Sequence, residues 1–216
     1  MSLDGAMVPV VLGFRALKGG SVVVGVAADT GGPRVLLSSF LATAAEGDRL
    51  ALEPYHVAAE MERGLAGGAS PRAVAAVAEG RRRQEALALA GLADIVARLR
   101  QAGAAPAIAA LLVNRAGWVS DLLAYSLAYA DHPPVAEGVA VRDALRFACG
   151  RLGLPVAEMD EKSLHPLASQ ALGLEPADIA ARLDALGATA GRPWRKEQKL
   201  ACLAAWMVVR APDTGR

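Results

Sequence analysis

Several clusters of polar residues have the types and spacing to do chemistry. Arg15, Lys18, Gly19, Gly20 and Ser21 set two cations around a glycine turn. Such a turn can expose backbone N–H groups that cradle an anion, with a Lys or Arg completing the charge. An ordinary hairpin turn would use the same residues, and the Gly-x-x-x-x-Gly-Lys-Ser/Thr spacing of a P-loop is absent. In Glu53-Pro54-Tyr55-His56 and Glu60, a helix starting after Pro54 would place His56 and Glu60 on one face at i and i+4. A His–carboxylate pair can bind metal or relay a proton. It is equally a helix start with a surface pair, and one His with one or two acids is not a metal site by itself. Asp131, His132, Glu137, Arg142 and Asp143 form a further cluster. Glu137 falls in a first helical turn, where negative charge suits the helix dipole, so a surface helix start accounts for this cluster too.

Asn114 and Asp160 gain weight from position. Each follows an expected parallel strand, and ligands of open α/β sheets bind beyond the carboxyl ends of such strands. Glu197 opens the last helix, within Trp194-Arg195-Lys196-Glu197-Gln198-Lys199. Asn114, Asp160 and Glu197 are therefore the candidate catalytic residues, and Arg15, Lys18 and Ser21 the candidate anion-binding ones. His56, Glu60, His132, Glu137 and Arg142 stand as secondary candidates. Arg15, Asn114 and Glu197 are expected to line one pocket, unless Arg15 and Glu197 simply close the fold as a salt bridge. Trp194 suits a packing staple or a platform for a stacked base. Arg81-Arg82-Arg83 lie about 100° apart on a helix, so they form no single phosphate-tracking stripe.

The elements that must position these residues follow from the apolar pattern. Pro9 to Leu17, Ser21 to Ala28 and Arg34 to Thr43 read as strands, separated by Lys18-Gly19-Gly20 and Asp29-Thr30-Gly31-Gly32-Pro33. Arg49 to Tyr55 is a candidate fourth strand of this antiparallel meander. Ser70-Pro71 then starts a long helix, because Ser caps free N–H groups and Pro is tolerated at the first position. Gly80 and Gly91 weaken that helix and allow a break. Ile108 to Val113 reads as a buried strand, Val135 to Leu152 as a helix and Pro155 to Met159 as a last strand. Helices over Leu164 to Leu172, Pro176 to Leu186 and Arg195 to Val209 complete the chain. The order predicts an α/β fold: a three-strand antiparallel meander, then alternating helices and parallel strands, in a mixed five-stranded sheet with helices on both faces.

Composition narrows the function classes. The chain has 216 residues, 54% hydrophobic, with 23 Lys plus Arg, 22 Asp plus Glu and a net charge of +1. These values exclude a disordered chain, a collagen-like chain and a polybasic nucleic-acid tail. Cys149 and Cys202 are too few for a disulfide framework or a cysteine-type zinc site. The apolar runs Met7 to Phe14 and Ala104 to Val113 fall short of the roughly 20 residues a spanning helix needs. The expectation is a cytoplasmic protein with one domain over residues 7–210 and flexible termini at 1–6 and 211–216.

The strand order, with Val10-Val11-Leu12-Gly13-Phe14-Arg15-Ala16-Leu17-Lys18-Gly19-Gly20-Ser21-Val22-Val23-Val24, resembles the ribonuclease H-like superfamily, which includes Holliday-junction resolvases and actin-like ATPases. There a first strand carries Gly-x-Asp-x-Gly, followed by a turn and an apolar second strand. Residues 191–199, with Glu137-Gly138 and Arg142, are also similar to a bacterial protein family that has no activity to carry over. The superfamily resemblance implies nucleases that hold two Mg²⁺ ions with carboxylates on the first strand, the fourth strand and the last helix. Here Phe14 or Arg15 fills the first position, Asn114 the second, and only Glu197 remains as an acid. A two-metal nuclease is therefore not expected, and the length suits one copy of the domain, not the duplicated one of a two-lobed ATPase. What remains is a nucleic-acid-related protein with its metal site lost or rebuilt, a non-catalytic scaffold with room for a homo-oligomer, or a binder or enzyme for a small phosphorylated ligand. The sequence leaves the cofactor unknown.

Overall fold

The computed structural model describes residues 7–29, 31–62, 68–114, 119–129 and 134–210. The termini expected to be flexible lie outside these residues. The meander forms as β1 (Val8–Leu17), β2 (Gly20–Asp29) and β3 (Gly32–Ala42), each pair antiparallel. Lys18-Gly19 alone turns β1 into β2, and Gly19 has φ +75°, a conformation that a side chain resists.

The segment read as a fourth strand is helical instead: α1 (Arg49–Leu52) and α2 (Pro54–Met61). Local caps decide this. The Asp48 carboxylate accepts the Ala51 N–H at 3.1 Å, and Pro54 takes the first position of α2. The long helix α3 (Pro71–Gln101) starts at Ser70, whose Oγ accepts the Ala73 N–H at 3.2 Å. It runs unbroken through both glycines. A Cβ at Gly80 would sit 2.5 Å from the Leu50 carbonyl oxygen and 2.6 Å from Pro54 Cβ, so this glycine lets α1 and α2 cross α3 closely.

β4 (Ala104–Val113) begins earlier than Ile108 and is followed by α4 (Leu122–Ala128), a helix the sequence pattern did not reveal. Then come α5 (Pro134–Arg151), β5 (Val156–Asp160), a 3-10 turn (Glu161–Ser163), α6 (Leu164–Leu172), α7 (Pro176–Ala190) and α8 (Lys196–Arg210). The sheet order is β3-β2-β1-β4-β5, with β1, β4 and β5 parallel. Arg15 lies opposite Leu112, and Val113 opposite Asp160, so the carboxyl ends of the three parallel strands share one edge.

Strand alternation sorts the core into two layers. Val10, Leu12 and Phe14 of β1 pack with Leu92, Ile95 and Leu99 of α3 and Val141 and Leu145 of α5. Val11 of β1 packs on the opposite face with Leu200 to Trp206 of α8, Leu164 of α6 and Ile179 and Leu183 of α7. A smaller cluster of Tyr55, Val77, Ala136 and Ala140 ties α2 to α3 and α5. No described helix is long and apolar enough to cross a membrane.

Gly13 sets the distance between β1 and α8. A Cβ there would overlap the Ala201 carbonyl and lie 3.1 Å from Ala205 Cβ. Backbone cannot yield as a flexible side chain does. Gly13→Ala is therefore expected to destabilise the protein by about 3 kcal/mol, the upper range for overpacking. Urea unfolding checks it, and a loss below about 0.5 kcal/mol would show that α8 can shift away.

Candidate functional site

The carboxyl edge is built around Arg15, near the end of β1 on the face covered by α8. Its guanidinium forks onto Glu161: Nη2 donates to Oε1 at 2.9 Å, and Nε lies 3.2 Å from both oxygens. Nη1 is 3.7 Å from Glu197 Oε1. Two carboxylates thus meet one part-buried cation, and little of its charge is left for an outside anion. The Arg15–Glu197 contact exists, but the shorter, bidentate partner is Glu161.

The other sequence candidates separate by location. Asn114 is exposed at the end of β4 and shares a groove of about 510 Å³ with Arg15, Arg142, Lys162, His165 and Lys196. Glu197 reaches Arg15 from the adjoining groove, which it lines with Val22 and Phe40. The three residues expected in one pocket therefore divide between neighbours. Asp160 is occupied as a cap: its Oδ2 accepts the Ser163 hydroxyl at 3.0 Å and its Oδ1 the Lys162 N–H at 3.4 Å. Ser21 is buried in the sheet, its Oγ donating to the Val22 carbonyl at 2.9 Å, and it lines none of these cavities. His132 lies outside the described residues.

Lys18 is 64% exposed and donates to Glu53 Oε2 at 2.8 Å. Arg49 Nε donates to the other Glu53 oxygen at 2.8 Å, and Arg49 Nη2 to Glu60 Oε1 at 2.7 Å. His56 Nε2 lies 3.2 Å from that same Glu60 oxygen, the expected i,i+4 pair. The Lys18 hydrogen bond holds the Glu53 carboxyl below its ordinary range. Arg81, Arg82 and Arg83 meet Asp143, Glu79 and both Glu79 and Asp48 respectively, so their charge is spent on neighbouring acids.

Glu137 and Arg142 differ most from their surface reading. Glu137 is only 6% exposed, and its Oε1 accepts the His56 backbone N–H at 2.8 Å. Glu53, the residue preceding α2, supplies no side-chain cap. A carboxylate from α5 therefore satisfies an orphan donor at the start of α2. Burial raises the Glu137 carboxyl to about 7, although the N–H groups of His56 and Tyr55 pull it down. Arg142 is 9% exposed; its Nε donates to the Leu112 carbonyl at 3.2 Å and its Nη1 to the Gly138 carbonyl at 2.9 Å. Burial lowers its pKa, with Glu161 opposing, yet a guanidinium stays charged. Among the described residues it has no ion-pair partner.

Lys18, Glu53, His56, Asn114, Glu137 and Arg142 enclose a second cavity of about 510 Å³, beside the groove and sharing Asn114 and Arg142 with it. Among the described residues, no three or more of His, Cys, Asp and Glu converge as metal ligands. Burial pushes the Cys149 and Cys202 thiols up to about 11 and 12, which removes them as nucleophiles. Sequence reasoning passed over Glu161 in favour of its neighbour Asp160. The 3-10 turn after β5 gives Asp160 to the cap and leaves Glu161 for Arg15. Lys196 and His165 became visible at the edge only when α6 and α8 were placed.

The mixed five-stranded sheet with helices on both faces is a ribonuclease H-like α/β fold. Among solved structures, the chain is similar to a Thermus thermophilus RuvC structure, with TM-score 0.51 and 16% identity over 93% of each chain. It is similar also to T. thermophilus RuvC in complex with a Holliday junction substrate, with TM-score 0.50 and 16% identity over 92% of this chain and 91% of that one. No family model and no curated protein matches the chain. At this identity the likeness carries the fold alone.

Glu137 makes stability depend on pH. Its folded pKa lies above the ordinary 4.5, so the folded state holds the proton more tightly. That contribution is full below about pH 4.5 and is lost as pH rises through 7. Glu137→Gln, which keeps an oxygen for the His56 N–H, should flatten the profile, the difference reaching about 3 kcal/mol across this window. Thermal melts of both proteins from pH 4.5 to 8 check it; parallel profiles would refute the assignment.

Proposed function

We propose that the protein binds nucleic acid along the carboxyl edge of its sheet, gripping backbone phosphate with Arg142, Lys162 and Lys196 and using no carboxylate–metal clamp. The observation that carries this reading is Arg142: a buried guanidinium, held by two backbone carbonyls, bordering the groove and forming no ion pair among the described residues, while the acid that lines the groove, Glu161, is engaged by Arg15. Lys162 and Lys196 border the same groove, are exposed, and form no ion pair among the described residues. Local charge matters more here than the net +1, because phosphate contacts are short-ranged at physiological salt. Phe14 or Arg15 fills the first-strand position expected to carry an acid, and the charge of Arg15 would repel a divalent cation there and already engages Glu161 and Glu197. A RuvC structure of the same fold contains a Holliday junction substrate, which supports nucleic acid as the ligand class at the level of fold.

Fluorescence anisotropy with single-stranded, duplex and four-way-junction DNA tests the proposal. Binding is expected without Mg²⁺ and to weaken with salt. The Lys162→Ala/Lys196→Ala pair should weaken it at least about tenfold and reduce the salt slope by about 2. No salt-dependent binding to any of the three would overturn the reading, and Mg²⁺-dependent cleavage would overturn the part that excludes a metal clamp.

A further inference from the structure

The cavity beside the groove has its own chemistry. Its volume of about 510 Å³ falls in the range of small-molecule sites, and its walls come from the end of β1, the start of α2 and the first half of α5. Polar groups on these walls are left incomplete. Glu137 Oε2 is buried without a hydrogen-bond partner, while its Oε1 is used by the His56 N–H. His56 Nδ1 is likewise buried and unpartnered. Two of the five N–H groups of Arg142 are given to the Leu112 and Gly138 carbonyls; the other three have no partner among the described residues. Buried orphans of this kind cost about 1–3 kcal/mol each, so two of them on one cavity, beside the unused N–H groups of Arg142, call for explanation.

The complement is specific. A guanidinium with free N–H groups presents a fork to an oxyanion. A carboxylate oxygen needs a donor, and the imidazole nitrogen takes either role. Lys18 and Glu53 satisfy each other at 2.8 Å and add no net charge. We propose that this cavity is a site for a small hydroxylated phosphate monoester, its phosphoryl group on Arg142 and a hydroxyl donating to Glu137, with His56 as the second contact. The inference stands on the cavity and does not need the nucleic-acid reading.

A proton is linked to such binding. The groups facing Glu137 are Lys18 and Glu53 at the β1–β2 turn and the start of α2, Tyr55 and His56 on α2, and Arg142 on its own helix. With no partner for Oε2, burial favours the protonated acid. A ligand hydroxyl donating there favours the carboxylate instead, so binding below about pH 7 should release a proton.

Calorimetric titration of the full chain with ribose 5-phosphate and with inorganic phosphate tests this. Ribose 5-phosphate is expected to bind at least about tenfold more tightly than phosphate, a difference of about 1.4 kcal/mol. Glu137→Gln should erase that preference. His56→Ala keeps the backbone N–H that Glu137 accepts, so it should weaken ribose 5-phosphate without unfolding α2. At pH 6 the native chain should release more protons to the buffer than Glu137→Gln, in which only the phosphoryl group, with its second pKa of about 6, still contributes. Lys162→Ala/Lys196→Ala borders only the groove and should change none of these. Equal affinity for the two ligands, or a preference that survives Glu137→Gln, overturns the site. DNA binding without ribose 5-phosphate binding overturns this inference and leaves the proposed function standing; the reverse result does the opposite.

Discussion

Arg15 follows Gly13 by two residues on β1 and so shares the strand face against which α8 packs. Its charge must be met inside that layer, and the architecture brings acids from two directions. The 3-10 turn after β5 presents Glu161 in bidentate geometry, and the first turn of α8 presents Glu197, where a carboxylate also suits the helix dipole. The consequence spreads along the edge. Glu161 and Glu197 are engaged by Arg15 and Asp160 caps its own turn, and among the described residues Arg142, Lys162 and Lys196 form no ion pair. The surrounding acids Glu161 and Glu197 serve as counterions of Arg15.

Glu137 plays a comparable part on the other side of Arg142. A helix usually supplies its own N-terminal cap from the residue before it; α2 borrows one from α5. The position of α2 is thereby fixed to a carboxyl group that also forms the cavity wall. The short core of Tyr55, Val77, Ala136 and Ala140 holds the same elements together by apolar contact. Packing and electrostatics converge on one junction, and the carboxyl stays there against the cost of its own desolvation.

Much of this fold was legible in the sequence because the signals were strong and local. The apolar runs of β1 to β3 with their glycine turns, the Ser70-Pro71 helix start and the helical reading of Leu164 to Leu172 gave element type and order, and order gave topology. Arg49 to Tyr55 misled because an apolar-alternating reading ignores caps, and Asp48 and Pro54 override it. Gly80 looked like a weakness in α3 and proved to be a crossing point, a fact that exists only between elements distant in sequence. The site was less legible for the same reason. Arg15 and Glu197 were placed together correctly, since both follow from strand and helix ends. The burial of Glu137 and Arg142 was not, because exposure on α5 is decided by its packing against α2 and β4, contacts between elements distant in sequence. Trp194 offered two readings, and packing chose one: its ring lies against Gly187 and its Nε1 donates to the Leu183 carbonyl at 2.9 Å, so it joins α7 to α8.

The layer that closes over Gly13 is also the last part of the described chain to leave the ribosome. Residues 164–210 supply α6, α7 and α8, and until they emerge the faces of β1, β2 and β4 that carry Val11, Val22, Val24, Val26, Ala110 and Leu112 have no cover. The opposite face is sealed much earlier, because α3 and α5 precede β5 in the chain. A nascent chain paused before residue 164 is therefore a half-clad sheet, apolar on one side, of the kind that holdase chaperones shield until synthesis ends.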